Sequence, residues 1–234
     1  MKKKFNTKVI HAGHGSDKET GAVMPPIHLS STFKQIEPGN FEYEYARTKN
    51  PSRDVLEKLL AQIESGHKAF AFASGMSAIN TVCDLFGTNF HIICSDDVYG
   101  GTRRLFDKVK SDIEVTYIDF DKNVNWNDEI KENTKFIWVE TPSNPLMKII
   151  DVKNTVSIAS EFNLPVICDN TFASPFNQRP LELGADMVVS SSTKYLGGHS
   201  DIVGGSIVIK ENNEYAEKIS YIQNAVGAIP SPFD

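Results

Sequence analysis

The sequence predicts an α/β protein, a mostly parallel sheet sandwiched by helices, with an extended arm at its N-terminus. Three observations carry this. Short apolar runs alternate with stretches of helical periodicity from residue 52 onward. Most connections between the early runs have room for a crossover helix, as parallel pairing requires. Residues 1–51 carry Gly13, Gly15, Gly21, Gly39 and Pro25-Pro26 but no sustained period.

The arm, residues 1–51, is expected to pack on another subunit, and residues 52–234 to form one domain. Ser52 is expected to cap a helix whose Val55, Leu56, Leu59, Leu60 and Ile63 share a face and which ends at Gly66. Apolar runs at 69–73, 92–94, 115–118, 136–139, 166–168, 187–189 and 207–209 read as strands. Helical patterns at 77–86, 102–110, 126–132 and 152–162 separate the first five, so these are expected to lie parallel. After Gly204-Gly205 the last run is expected to return antiparallel.

With 40% hydrophobic and 23% charged residues, the 234-residue chain can build one sizeable core. A net charge of -6 and a pI near 5.5 leave no basic patch for nucleic acid, and small molecules are the expected partners. No apolar stretch approaches the ~20 residues of a membrane-spanning helix. Met1-Lys2-Lys3-Lys4 is basic, but the residues that follow are polar where a signal peptide needs an apolar segment, so a cytoplasmic location is expected. Cys83, Cys94 and Cys168 sit in apolar patterns without metal-ligand spacing. They read as reduced core thiols, and no metal site is expected.

The polar residues are more informative than the strands. Ser74-Gly75, Asp96 to Tyr99, Glu140 to Asn144, Asp169 and Ser191 to Lys194 each lie just beyond the carboxyl end of an apolar run. Open parallel sheets bind ligands at that edge, so these segments should converge on one crevice. Lys194 brings an amine, which desolvation in a crevice would make nucleophilic. Asp169 brings a carboxylate that is costly to bury without a partner. An amine for a Schiff base and an anion for a pyridinium nitrogen are what pyridoxal 5'-phosphate requires. Gly75 and Met76 open a helix whose N–H groups can face a phosphate, and Ser191 and Thr193 add hydroxyls. Tyr99 stands on a glycine-bordered loop where its ring can lie over a flat cofactor. The turn Thr141-Pro142-Ser143-Asn144-Pro145 would direct Asn144 toward the cofactor ring oxygen or a substrate carboxylate. Ser191-Ser192-Thr193-Lys194 also matches the Ser-x-x-Lys pattern of penicillin-binding acyltransferases, but the other motifs of that class are missing.

Several motifs occur together in order: Tyr45-Ala46-Arg47, Asn50-Pro51-Ser52-Arg53, Ser74-Gly75-Met76, Asp97-Val98-Tyr99-Gly100-Gly101-Thr102, Glu140-Thr141-Pro142-Ser143-Asn144-Pro145, Asp169-Asn170-Thr171 and Ser191-Ser192-Thr193-Lys194-Tyr195. With them the chain resembles the Cys/Met-metabolism pyridoxal-phosphate enzymes. The resemblance implies a fold-type I large domain, with Lys194 as the aldimine lysine, Asp169 against the pyridine nitrogen and Tyr99 on the ring. It assigns Gly75, Met76, Ser191 and Thr193 to the phosphate, and Tyr45 and Arg47 to the phosphate site of a neighbouring subunit in a homodimer or homotetramer. It also implies a smaller C-terminal domain, on the order of a hundred residues, that would lie beyond Asp234 and supply the arginine for the substrate carboxylate. The implied reaction is γ-elimination from cystathionine or a related sulfur amino acid, with Lys194 moving the Cα proton. Cystathionine γ-synthase and cystathionine β-lyase are the alternatives within the family, and an inactive dimerising fragment is the alternative outside it. Methionine γ-lyases often carry cysteine where this chain has Gly101, which favours the cystathionine γ-lyase type.

Overall fold

The computed structural model describes residues 4–234, so the basic start Met1-Lys2-Lys3 lies outside the described residues. Seven strands form a single sheet: β1 (Lys68–Phe72), β2 (His91–Ser95), β3 (Glu114–Ile118), β4 (Thr134–Glu140), β5 (Val166–Asp169), β6 (Met187–Ser190) and β7 (Gly205–Ile209). Their order across the sheet is β1-β7-β6-β5-β4-β2-β3. From β3 to β6 all pairs are parallel, whereas β7 runs antiparallel to both β6 and β1.

The return at β7 matches the expectation, and β1 runs in the same direction as β2 to β6 as expected, but it does not pair with any of them. β1 joins the sheet only through the antiparallel β7, so only four of the five early strands belong to the parallel block. The helix between β1 and β2 is therefore a connection across the sheet rather than a link between adjacent parallel strands.

Alternation along the strands sorts side chains to two faces. On β4, Phe136 and Trp138 join one core and Ile137 and Val139 the other. The first core lies under α3 (Gly75–Leu85), the π-helical turn that follows α4 (Gly100–Arg104), and α8 (Glu214–Val226), through residues such as Ile79, Val82, Leu105 and Ile219. On the opposite face α6 (Val152–Glu161) packs on β5, while α2 (Pro51–Ile63) uses Leu60, Ala61 and Ile63 to cover Ala69, Val188 and Val208. Cys83, Cys94 and Cys168 are buried and unpaired in these cores.

Several boundaries differ from the sequence reading. The cap of α2 is Asn50, whose side chain accepts from the N–H groups of Ser52 and Arg53; Ser52 instead accepts from His28 N with its hydroxyl at 2.9 Å. The pattern at 102–110 starts earlier, at Gly100, and from Leu105 to Val109 widens into a π-helical turn. The pattern at 126–132 shortens to a single turn, α5 (Trp126–Glu129). The sequence reading omitted α8, which Asn213 caps and Gly227 ends in the left-handed conformation at φ 78°.

The arm is not extended throughout, since α1 (Phe5–His11) packs on α2. A second short helix, α7 (Ser174–Asn177), follows β5. Between α1 and α2 the arm forms isolated bridges, including Thr32 with Tyr45. Buried Arg53 fastens its last turn, donating to the carbonyls of Ala46, Arg47 and Thr48 at 3.0, 3.1 and 2.7 Å. No helix among the described residues is long and apolar enough to cross a membrane.

Candidate active site

Four of the five strand-end segments meet at one cavity of about 230 Å3. It is lined by Ser74, Gly75 and Met76 after β1, Tyr99 after β2, Asp169 and Thr171 after β5, and Ser191, Thr193 and Lys194 after β6, with Ile79, Val189 and Val203 completing the walls. A larger cavity of about 600 Å3 lies along α1, α2 and α7. Its walls are mostly apolar, and the cluster of amine, carboxylate and hydroxyls is in the smaller one.

The start of α3 forms one wall. Ser74 Oγ accepts from Ser77 N at 3.1 Å, and Ser77 Oγ accepts from Ser74 N at 3.0 Å, a reciprocal cap that fixes the first turn. The N–H groups of Gly75 and Met76 have no acceptor within the helix and lie at the positive end of its dipole. Three backbones crowd this corner. A β-carbon on Gly75 would lie 2.8 Å from Ser191 Cβ, and one on Gly205 would lie 2.2 Å from Ser74 O. Only glycine allows β7 and the exit of β6 to approach α3 so closely.

The hydroxyls of this corner have different partners. Ser191 N donates to Thr171 Oγ1 at 2.9 Å, and Ser191 Oγ makes no hydrogen bond among the described residues. Thr193 Oγ1 accepts from Gly204 N at 3.0 Å and donates to Gly204 O at 3.2 Å. The hydroxyl hydrogen assigned to a phosphate by the sequence reading is therefore used to brace the loop before β7.

Lys194 follows in a tight turn in which Lys194 N donates to Ser191 O at 3.2 Å and Gly198 N donates to Lys194 O at 2.8 Å. Its side chain reaches the cavity but is exposed. The desolvation expected around its amine is not present in the single chain.

Asp169 ends β5 with 6% of its surface exposed. Its Oδ1 accepts from Thr171 N at 3.0 Å and from Thr171 Oγ1 at 2.6 Å, while Oδ2 accepts nothing among the described residues. Burial pushes this carboxyl above the ordinary range, and the two Thr171 bonds act against that shift.

Glu140, which the sequence reading placed in a converging segment but gave no role of its own, is the residue it undervalued. It ends β4 in register with Asp169 and is 5% exposed. Tyr99 N donates to both of its oxygens, at 3.1 and 2.9 Å, and Asn144 N donates to Oε1 at 2.9 Å. Burial first, and then the neighbouring Asp169 charge, push the Glu140 carboxyl up. The signal that would have found it is the one that found Asp169, a carboxylate directly after a fully apolar run.

Tyr99 is half-exposed, and its ring covers Gly101. A β-carbon at Gly101 would stand 2.4 Å from Tyr99 Cε1 and 3.0 Å from Met76 Sδ. Three expected site residues lie off the cavity in this chain. The N–H of Asn144 is tied to Glu140, and Asn144 does not line the walls. Tyr45 and Arg47 sit exposed on the arm, with the Arg47 guanidinium 5.7 Å from the Tyr45 ring centroid and donating to Asn224 O.

The profile of the Cys/Met metabolism PLP-dependent enzyme family matches residues 6–234. The chain belongs to that family. A cystathionine β-lyase of Coxiella burnetii is 47% identical over 237 residues, covering 100% of this chain and 61% of its own length. A probable cystathionine γ-synthase of Herpetosiphon aurantiacus is 47% identical over 233 residues, covering 98% of this chain and 73% of its own. The crystal structure of a cystathionine γ-lyase from Lactobacillus plantarum, complexed with L-serine, superposes with a TM-score of 0.94 at 47% identity, over 99% of this chain and 61% of that one. This Cys/Met PLP-dependent chain thus has the fold-type I architecture, and it spans about three fifths of the length of the β-lyase.

The residues of the cavity fit pyridoxal 5'-phosphate. The free N–H groups of Gly75 and Met76 and the unengaged Ser191 hydroxyl form an anion-binding corner. Asp169 Oδ2 is an acceptor on the cavity wall that has no donor among the described residues, as a protonated ring nitrogen requires. Tyr99 supplies an aromatic face and Lys194 an amine on the same cavity.

Proposed function

We propose that this chain is the cofactor-binding part of a trans-sulfuration enzyme that breaks the Cγ–S bond of cystathionine or a related sulfur amino acid. The observation that carries this reading is the unpartnered Asp169 Oδ2 on the same cavity of about 230 Å3 as Lys194. When bound, pyridoxal phosphate supplies a sink for the electron pair left on the substrate Cα. Lys194 accepts the Cα proton and, once it has released it, accepts a proton from Cβ, so that the electron pair of the Cβ–H bond expels the sulfur at Cγ as a thiolate. Asp169 holds the ring nitrogen protonated, with Thr171 fixing the orientation of its carboxylate. Gly75, Met76 and Ser191 bind the phosphate, and Thr193 supports them by bracing Gly204. Tyr99 covers one ring face, and Asn144 reaches the ring edge.

Tyr45 and Arg47 act on the neighbouring subunit's phosphate site, so the working unit is a homodimer or homotetramer. Their exposure on the arm, away from the chain's own cavity, supports this assignment. Residues 1–51 then serve as the inter-subunit arm and 52–234 as the cofactor domain. The cavity lining contains no arginine, so the substrate carboxylate is bound by groups from outside it. A cytoplasmic enzyme of small-molecule metabolism is the setting that fits this chemistry.

Within the family we favour the cystathionine γ-lyase type, because Gly101 stands where methionine γ-lyases often carry cysteine. The γ-synthase reading stands second, supported by the Herpetosiphon aurantiacus relative at 47% identity. The test is to mix the chain with pyridoxal phosphate, reduce with borohydride and map the peptides. A pyridoxyl group on Lys194 is expected, and a chain that takes up no cofactor would overturn the reading in favour of an inert dimerising fragment. Product analysis with cystathionine then separates the reactions. γ-Elimination with water yields cysteine, 2-oxobutanoate and ammonia, whereas β-elimination yields homocysteine, pyruvate and ammonia. A γ-synthase instead joins cysteine to an O-acyl-homoserine and releases the acid.

A further inference from the structure

Glu140 collects contacts from three segments that border the site. Tyr99 arrives on the loop after β2, Asn144 on the turn after β4, and Asp169 at the end of β5. Both Glu140 oxygens accept from Tyr99 N, at 3.1 and 2.9 Å, and Oε1 also accepts from Asn144 N at 2.9 Å. The Tyr99 N–H is shared between the two oxygens, a three-centre bond, and the second donor, Asn144 N on Oε1 alone, fixes the orientation of the carboxyl plane. Glu140 N in turn donates to Ser95 Oγ at 3.2 Å, which ties the same residue to the end of β2. Burying a carboxyl at 5% exposure beside a second one, Asp169, is costly unless its oxygens are used. Here every oxygen is used on a segment that borders the cavity.

We propose that Glu140 is the positioning residue of this site: its carboxyl sets the height of the Tyr99 ring and of the Asn144 turn relative to Asp169, and so fixes how a flat aromatic ring is held. The proposal rests on the cofactor reading above, since it assigns Tyr99 and Asp169 to opposite aspects of one bound ring. Glu140 acts through Tyr99 and Asn144 and does not itself line the cavity.

A second clamp between the same segments makes the proposal testable without unfolding them. Asp97 Oδ2 accepts from Ser143 Oγ and, at 2.9 Å, from Leu146 N, so the loop and the turn stay joined when Glu140 is removed. The experiment compares the parent chain with Glu140→Gln and Glu140→Ala. Glutamine keeps one oxygen able to accept from both N–H groups, and alanine keeps none.

With pyridoxal phosphate added, the alanine variant is expected to lose at least about threefold of the induced visible ellipticity of the bound cofactor and to bind it about tenfold more weakly. Glutamine is expected to remain within about twofold of the parent on both measures. In the Tyr99→Ala background, Glu140→Ala is expected to add less than about a twofold further loss, because its effect passes through that ring. An alanine variant matching the parent, or a glutamine variant as impaired as alanine, overturns the proposal.

Amide hydrogen exchange on the cofactor-free chain separates this proposal from the reading on which it rests. Tyr99 and Asn144 amides are expected to exchange at least about tenfold faster in Glu140→Ala and at the parent rate in Glu140→Gln. If the parent takes up no cofactor, the cofactor reading falls and the exchange rates alone decide whether Glu140 holds the two segments. Unchanged rates in the alanine variant count against it.

Discussion

Glu140 and Asp169 stand opposite each other in register across the parallel pair of β4 and β5, both nearly fully buried. Strand alternation sends both side chains to the face shared by Trp138 and Ile167. Two carboxyls so placed resist ionising together, and the buried Glu64, 1% exposed and pushed up to about 8, adds a third resistant group.

The first prediction concerns pH. All three carboxyls have folded-state values raised above their unfolded ones. Their protonated forms favour the fold, so this contribution is complete below about pH 4 and is lost as pH rises through the folded values. Over the window in which Glu64 ionises, up to about pH 8, the cofactor-free chain should lose stability. Urea midpoints read this directly, and Glu64→Gln should flatten the decline, recovering on the order of 3 kcal/mol at the alkaline end. A midpoint that climbs with pH over this range would contradict the assignment.

A second prediction concerns Gly101. Alanine there meets the Tyr99 ring at 2.4 Å, and that ring is half-exposed and free to swing away. Stability should fall by less than about 1 kcal/mol, while pyridoxal phosphate binding weakens roughly tenfold. Fluorescence titration with the cofactor, alongside thermal melts, measures the two effects separately. Equal cofactor affinity in the variant would show that the ring position is immaterial.

Helix capping supplies a third. Asn50 accepts from Ser52 N at 2.8 Å and Arg53 N at 3.3 Å, and its amide donates to His28 O at 2.9 Å. Asn50→Ala removes a cap and an anchor for the arm, at a cost of about 2 kcal/mol. Ser52→Ala loses one bond, from His28 N, and should cost about half as much. Chemical denaturation of the two variants checks the order, and the reverse ranking would return the cap to Ser52.

The fourth concerns Lys194 and Asp169. Lys194→Ala should abolish borohydride fixation of a pyridoxyl group while leaving the Gly75 and Ser191 corner able to bind pyridoxamine phosphate. Asp169→Asn should keep the label on Lys194 but slow Cα proton exchange of an amino-acid substrate by about a hundredfold or more, because a neutral amide no longer favours a protonated ring. Labelling of a lysine other than Lys194 in the parent would displace the assignment.

The strand runs and the four converging segments were legible in the sequence because apolar alternation and strand-end polar residues are local signals. The neighbours of β1 were not. Lys68–Phe72 looks like any other buried strand, and its antiparallel partner lies over a hundred residues away at Gly205–Ile209. Asn50 went unread as a cap because Ser52, two residues on, has the same preference, and only the hydroxyl's bond to His28 N shows its different role. Glu140 looked like part of a turn motif, since the contacts that define it come from Tyr99 and Asn144 through backbone N–H groups, which side-chain identity does not report. The burial expected for Lys194 depended on surroundings that the single chain does not supply.

The place of β7 has a consequence for how the chain is made. Among the described residues β1 pairs with nothing but β7, and β7 also closes the sheet against β6. During synthesis from the N-terminus, residues 68–72 must wait as an unpaired apolar strand until residues 205–209 leave the ribosome. The corner formed by Ser74, Gly75 and Ser191 comes together only when Gly205 slots against Ser74. Nascent chains shorter than this therefore carry a sticky edge and no anion pocket, and cofactor added during translation has nothing to hold until β7 is in place.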